Sequence, residues 1–177
     1  MSILKVARMG HPVLRTEARP LTRGEIRGAD VQRLIDDMIE TMTEYHGVGL
    51  AAPQVHEGLR LFVASIGKND SDESEARPVV VINPEITSVG TEIVEDWEGC
   101  LSVPEVRGLV PRAREINVRA LDRRGERIEL HACDFPARVL QHEADHLDGI
   151  LFFDRMRSLR SLAFLDEYAR YWAKGED

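Results

Sequence analysis

Apolar residues along this chain change their spacing several times, and each change marks an element. From Asp30 onward Val31, Leu34, Ile35, Met38, Met42 and Tyr45 recur at helical steps. The pattern predicts an amphipathic helix with Asp30 as its N-cap and Gly47 as its stop. Ahead of it, residues 1–23 carry turn signals at Gly10-His11-Pro12 and Arg19-Pro20 but no period, which predicts an extended arm laid on the body. Beyond it, Leu61-Phe62-Val63-Ala64 and Val79-Val80-Val81-Ile82 are short apolar runs that predict strands. The acidic, serine-containing stretch from Lys68 to Glu75 between them is expected to be a solvated loop.

A two-residue period is clearest over 115–132. Ile116, Val118 and Ala120 precede Asp122-Arg123-Arg124-Gly125, and Ile128, Leu130 and Ala132 follow it, which predicts a hairpin with Gly125 in the turn. Asp134 and Pro136 then open a second long helix that Gly149 closes. In the last segment Leu159, Leu162, Leu165, Tyr168, Ala169 and Trp172 form one stripe, expected to be a helix lying on the body. No repeat or linker divides the chain. The order of elements predicts a single α+β domain over residues 1–177, with mostly antiparallel sheet packed around the second long helix and further helices near the N- and C-terminal ends.

Composition narrows the function. A chain of 177 residues can bury roughly 70% of its unfolded surface, so no metal is needed merely to hold it together. With 23 Lys+Arg against 31 Asp+Glu the net charge is -8, which disfavours nonspecific binding to a phosphate backbone, and no specific DNA partner is expected. The N-terminus lacks the apolar core of a signal peptide and no stretch approaches the ~18 apolar residues of a membrane span. A soluble cytoplasmic protein is therefore expected, with Cys100 and Cys133 free or metal-bound rather than paired.

The densest chemistry lies in Gln141-His142-Glu143-Ala144-Asp145-His146, an HExxH sequence within the second helix. Four helical residues advance about 400° and rise about 6 Å, so His142 and His146 share a face and can share a cation. Glu143 is then turned toward the rim, where it can accept a proton without being a ligand. Two histidines and a glutamate on a plain surface helix would look the same, so a third ligand decides. Glu98-Gly99-Cys100-Leu101-Ser102 offers a thiolate, giving Cys/His/His with a fourth position open to water. Glu167 is the rival third ligand, in the manner of a thermolysin-like protease. Gly47-Val48-Gly49-Leu50-Ala51-Ala52-Pro53-Gln54 adds small residues that let another backbone approach closely.

In order and spacing, these three stretches resemble the three motifs of the peptide deformylases, and the resemblance runs from about residue 3 to about residue 156. It implies that Cys100, His142 and His146 hold one divalent ion per chain, with Fe²⁺ as the working metal and Zn²⁺, Ni²⁺ or Co²⁺ as substitutes. It implies that Glu143 is the general acid/base, and that the side-chain amide of Gln54 and the backbone N–H of Leu101 donate to the oxyanion. The substrate it implies is the N-terminal formylmethionine of a nascent polypeptide, hydrolysed to release formate. The peptide would pair as an added strand with the backbone around Val48 and Gly49.

Phe135, Arg138 and Val139 precede His142 by seven, four and three residues and share its face. Phe135 and Val139 are expected to line a pocket for the methionine side chain, with Val48 opposite and the stem of Arg138 at the mouth. Asp145 would either orient a ligand imidazole or an arginine, or form a surface ion pair. Cys133 is expected to be packed, and His11, His46, His56 and His131 to be surface or turn residues. The protein is expected to be a monomer. Its tail, with Arg157, Arg160, Arg170 and Lys174, could dock at the ribosomal exit, although the apolar stripe favours packing on the body.

Overall fold

All ladders between the named strands are antiparallel, and they form two sheets that meet at one helix. The computed structural model describes residues 2–67 and 78–173, so the acidic stretch from Lys68 to Glu75 and Lys174 lie outside the described residues. In chain order the elements are α1 (Arg23–Arg27), α2 (Ala29–Glu44), β1 (Gly49–Ala51), β2 (Leu61–Ala64), β3 (Val79–Ser88), β4 (Ile93–Cys100), β5 (Val103–Ala113), β6 (Glu115–Leu121), β7 (Arg127–Cys133), α3 (Asp134–Leu147), β8 (Ala163–Phe164) and α4 (Leu165–Tyr171). One sheet runs β1-β2-β3-β6-β7 and the other β4-β5-β8. No helix among the described residues is long and apolar enough to cross a membrane.

Helices cover both faces of the five-stranded sheet, which explains its uninterrupted apolar runs. Leu61, Val63, Val80 and Ile82 pack with Val31, Ile35, Met38 and Met42 of α2. The alternate residues Phe62, Ala64 and Val81 pack with Ala137, Val139, Leu140 and Leu147 of α3. A third cluster, including Leu14, Val103, Val110 and Phe152, ties the N-terminal arm to β5. The arm is extended, as expected, apart from one 3-10 turn at Pro12–Arg15. It crosses the body as a strap: Ala7 donates its N–H to the carbonyl of Gln54 (2.7 Å), Met9 to Ser102 (2.8 Å) and Ala18 to Leu147 (2.8 Å).

The hairpin over β6 and β7 and the strand β2 fall where the pattern puts them, while several details differ. The helix α1 has too few residues to show a period, but Thr22 and Glu25 form a capping box at its start. Gly28 rather than Asp30 caps α2, and Asp30 sits in the first turn, where the helix dipole favours a carboxylate. The left-handed residue that ends α2 is His46 (φ 53°), one position before Gly47. The β4–β5 hairpin has no counterpart in the sequence reading because β4 is exposed along most of its length and shows no alternation.

Two expectations about packing are corrected. Cys133 precedes α3 as its N-cap and is exposed rather than packed. The apolar stripe of the tail is not one helix: Leu159 lies in a 3-10 turn, Ala163 and Phe164 pair with β5, and only from Leu165 does the chain become helical. No residue of α4 is buried, and the segment touches the body chiefly through Tyr168 and Trp172, whose rings lie 4.9 and 5.8 Å from Trp97. So short an amphipathic segment has no second layer to cover its apolar side.

Gly149 ends α3 in a left-handed turn (φ 70°). Ile150 then donates to the carbonyl of Asp145 (2.9 Å) and Gly149 to that of His146 (3.3 Å), which satisfies two carbonyls that the last turn would otherwise orphan. A Cβ at Gly149 would also stand 2.9 Å from the backbone carbon of Arg15. Gly149→Ala should therefore lower unfolding free energy by roughly 2–3 kcal/mol in urea titrations, whereas Gly90→Ala should lose only roughly 1 kcal/mol. Gly90 has a similar φ (71°) and open space around it. Equal losses would show that crowding against the arm contributes nothing.

Candidate metal centre

Helical spacing stacks His142 and His146 on successive turns of α3, with ring centroids 5.0 Å apart. Cys100, the last residue of β4, meets them from the other sheet. One ligand atom from each lies within 4.8 Å of the others, and Cys100 Sγ is 3.3 Å from His146 Nε2. Among the described residues this is the one group of three or more such side chains close enough to hold an ion. Glu167, the rival third ligand, is not in it and pairs with Arg170 at 3.5 Å.

Burial alone would raise the Cys100 thiol, but the imidazoles of His146 and His142 hold it well below the usual thiol range. Burial likewise opposes charge on His142, yet Cys100 and Glu98 hold its pKa well above the usual histidine value. A thiolate that keeps a proton on a neighbouring imidazole is a place where a cation can replace that proton. The donor set fits a divalent ion of intermediate softness.

Glu98 is the residue that sequence reasoning missed. It is 5% exposed, and its carboxylate accepts four hydrogen bonds: from His142 Nδ1 (2.9 Å), Arg112 Nε (2.9 Å), Arg112 Nη2 (3.0 Å) and Arg138 Nη1 (2.8 Å). A carboxylate on Nδ1 sets the tautomer of His142 and leaves Nε2 for an ion. Burial would raise the Glu98 carboxyl, but His142 and Arg112 bring it down to about 2. Arg112 also donates to Asp145, which accepts from Arg155 as well (2.7 Å), so Asp145 orients arginines rather than an imidazole. A bulge between Glu98 and Cys100 breaks the alternation that would have indicated where Glu98 points. The one legible signal was an acidic residue two positions before the candidate ligand.

Arg138 is placed differently from expectation. Its side chain borders the cavity, but the guanidinium is buried and committed to Glu98 and to the carbonyls of Val110 (2.7 Å) and Val94 (2.7 Å). It is an anchor for β4 and β5, not a flexible stem at a pocket mouth. Glu143 borders the same cavity as Cys100 and His142; it is buried, and its Oε2 has no hydrogen-bond partner. Burial pushes its carboxyl up to about 7 against the pull of His142 and His146. It lies against β1, where a Cβ on Gly49 would come within 2.6 Å of its carboxyl carbon. The close approach that requires a glycine here is thus made by the Glu143 side chain itself.

Gln54 has its amide oriented by its surroundings. Oε1 accepts from the backbone N–H of Ala51 (2.8 Å), so Nε2 is the end directed at Ser102 Oγ (3.2 Å) and Cys100 Sγ (3.5 Å). Leu101 follows Cys100 directly, its side chain packed on the α2 core. A cavity of about 730 Å³ opens over these groups, bordered by Val48, Gly49, Phe135 and Val139 and reaching Trp97 and Leu165. Phe135 and Val48 are exposed to it while Val139 is buried. Gly49 begins β1, which among the described residues pairs only with β2 and has no strand on its other edge.

The Glu98 cluster makes stability pH-dependent. A carboxyl near 2 when folded and 4.5 as its ordinary value binds fewer protons folded than unfolded between those limits. Its contribution is present above about pH 4.5 and lost as pH falls toward 2, on the order of 3 kcal/mol. In metal-free protein, urea titrations should show wild type losing about that much more than Glu98→Gln over the window. Glu98→Gln should be less stable at pH 7, because Arg112 and Arg138 lose their counter-charge, and flatter over the same acid range. An unchanged acid slope would remove Glu98 from this role.

Comparison with known proteins covers most of the chain. A family model described as polypeptide deformylase matches residues 3–161. Peptide deformylase 2 of a Nostoc species is 45% identical over 94% of this chain and 93% of its own length, and the peptide deformylase of Heliobacterium modesticaldum is 44% identical over 89% and 97%. Among solved structures, a class I type b peptide deformylase from Acinetobacter baumannii with Met-Ala-Ser bound has a TM-score of 0.80 at 42% identity, covering 87% of this chain and 98% of that one. The Thermotoga maritima peptide deformylase has a TM-score of 0.79 at 41% identity, over 88% and 99%. Since the matched residues 3–161 include all three stretches that converge on Cys100, His142 and His146, and since relatives are 44–45% identical over most of the chain, this chain belongs to the peptide deformylase family.

Proposed function

We propose that this protein hydrolyses the N-formyl group of N-terminal formylmethionine on newly made polypeptides, releasing formate and a free amine. The observation that carries the reading is a buried carboxylate, Glu143, with an unpartnered oxygen beside the Cys100, His142 and His146 set at the floor of a peptide-sized cavity. Those three side chains would hold one divalent cation. When bound, it supplies Lewis-acid polarisation and makes water nucleophilic at neutral pH.

The chain's own groups account for the rest. Glu143 takes a proton from the attacking water and returns it to the departing nitrogen, without which an amide anion would have to leave. Its buried setting beside the three ligands, with Oε2 unpartnered, suits a group that must both accept and donate. The Gln54 Nε2 and the backbone N–H of Leu101 donate to the formyl oxygen as charge develops on it. Gln54 carries no titratable charge, so its donation persists across pH. An extended peptide would add to the free edge of β1 near Val48 and Gly49, with its methionine side chain against Val139 and Phe135. The Acinetobacter baumannii relative solved with Met-Ala-Ser bound supports a methionine-first ligand.

Glu143→Gln should keep close to one metal per chain and lose about 10²–10⁴-fold in formate release from a formyl-methionyl peptide. Cys100→Ala should lose the metal itself. Near wild-type turnover in the first variant, or full metal content in the second, would overturn these roles. For the ion, a thiolate beside imidazoles accepts Fe²⁺ or Zn²⁺, and we assign Fe²⁺ as the working metal on the strength of the family resemblance. Anaerobic Fe²⁺ protein should then turn over faster than the Zn²⁺ form and lose activity faster in peroxide. Equal rates and equal sensitivity would exclude iron as the preferred ion.

A further inference from the structure

The tail beyond residue 161 lies outside the stretch matched by the family model, yet it reaches the catalytic cavity. Leu165 borders the same cavity as Cys100, His142 and Glu143. Its position is fixed by backbone pairing, because β8 joins β5 with Val106 opposite Phe164 and Arg107 opposite Ala163, and Leu165 comes next. Val106 and Arg107 border the cavity as well. The helix that follows is held by stacking: the Tyr168 ring meets Trp97 at 4.9 Å, and the Arg107 guanidinium sits 5.3 Å from the same ring.

Core packing does not account for Leu165. It is 47% exposed, and α4 buries none of its residues, so the side chain is held in place without being covered. A cavity of about 730 Å³ is the size that takes a drug-sized ligand rather than one amino-acid side chain. With the formyl group at Cys100, His142 and His146 and the methionine against Val139 and Phe135, the part bordered by Trp97, Arg107 and Leu165 is left for the residues that follow.

We infer that β8 and α4 present Leu165 as an apolar wall of the substrate groove, selecting apolar side chains on the residues after the methionine. This rests on the deformylase reading above. Trp97 from β4 and Leu165 from the tail are the apolar side chains here, beside Glu105 and Arg107 of β5, so an aliphatic side chain would lose water against the two apolar residues and a serine would gain nothing from them.

The test compares kcat/KM of the full-length, metal-loaded protein on formyl-Met-Leu-Leu and formyl-Met-Ser-Ser. Wild type should prefer the leucine peptide, and Leu165→Ala should reduce that preference roughly three- to ten-fold, mainly through KM on the leucine peptide. Leu165→Asp should reduce it further and Leu165→Met should restore most of it, which a merely structural role would not predict. Leu159→Ala, in the neighbouring 3-10 turn and 67% exposed, should leave the ratio unchanged. Active wild type whose peptide preference is the same in Leu165→Ala and Leu165→Asp overturns this inference alone. Wild type that releases no formate from either peptide overturns the deformylase reading and the inference with it.

Discussion

A single buried carboxylate holds the two sheets and the central helix in register. Glu98 on β4 takes hydrogen bonds from Arg112 on β5 and from Arg138 and His142 on α3. Arg112 reaches on to Asp145, one residue before the second histidine. Buried charges are tolerable only when paired and hydrogen-bonded, and removing one partner strands the rest. The cluster therefore acts as a unit: it aims the imidazole of His142 and fixes the end of β4, from which Cys100 projects. A metal centre assembled from two distant stretches needs such a tie, because α3 packs on the five-stranded sheet while Cys100 belongs to the other.

Close approach shapes the opposite wall. Glu143 can lie against β1 only because Gly49 has no side chain there, and the amide of Gln54 is turned by the N–H of Ala51 so that its donor end faces Cys100. The N-terminal arm reinforces both sides, bonding to Gln54 beside one wall and to Ser102 beside the other. These contacts fix the Gln54 amide and the Glu143 carboxylate in place beside Cys100. The cavity then opens along the free edge of β1, a natural platform for an extended chain.

The centre and the tail meet at one cavity. The residues of the centre lie within 3–161, where the family model matches. The tail crosses β5 as a two-residue strand and contributes to the cavity rim. That pairing needs only backbone groups and leaves the buried charges untouched.

Where local spacing carried the information, the sequence alone was sufficient. The helical positions of His142 and His146 and the hairpin around Gly125 follow from periods of 3.6 and 2, and the strand at β2 from its short apolar run. Cys100 was legible because a two-histidine site needs a third donor. Glu98 was not, since its partners are 14, 40 and 44 residues away and a bulge hides its direction. Arg138 was assigned to the right face, but that its guanidinium turns inward is decided by the buried carboxylate waiting there. The tail shows the same limit from the other side: a helical stripe of leucines could not reveal that backbone pairing with β5 would take its middle as a strand. Period describes what a segment offers to its neighbours, and only tertiary structure supplies the neighbour that decides how it is used.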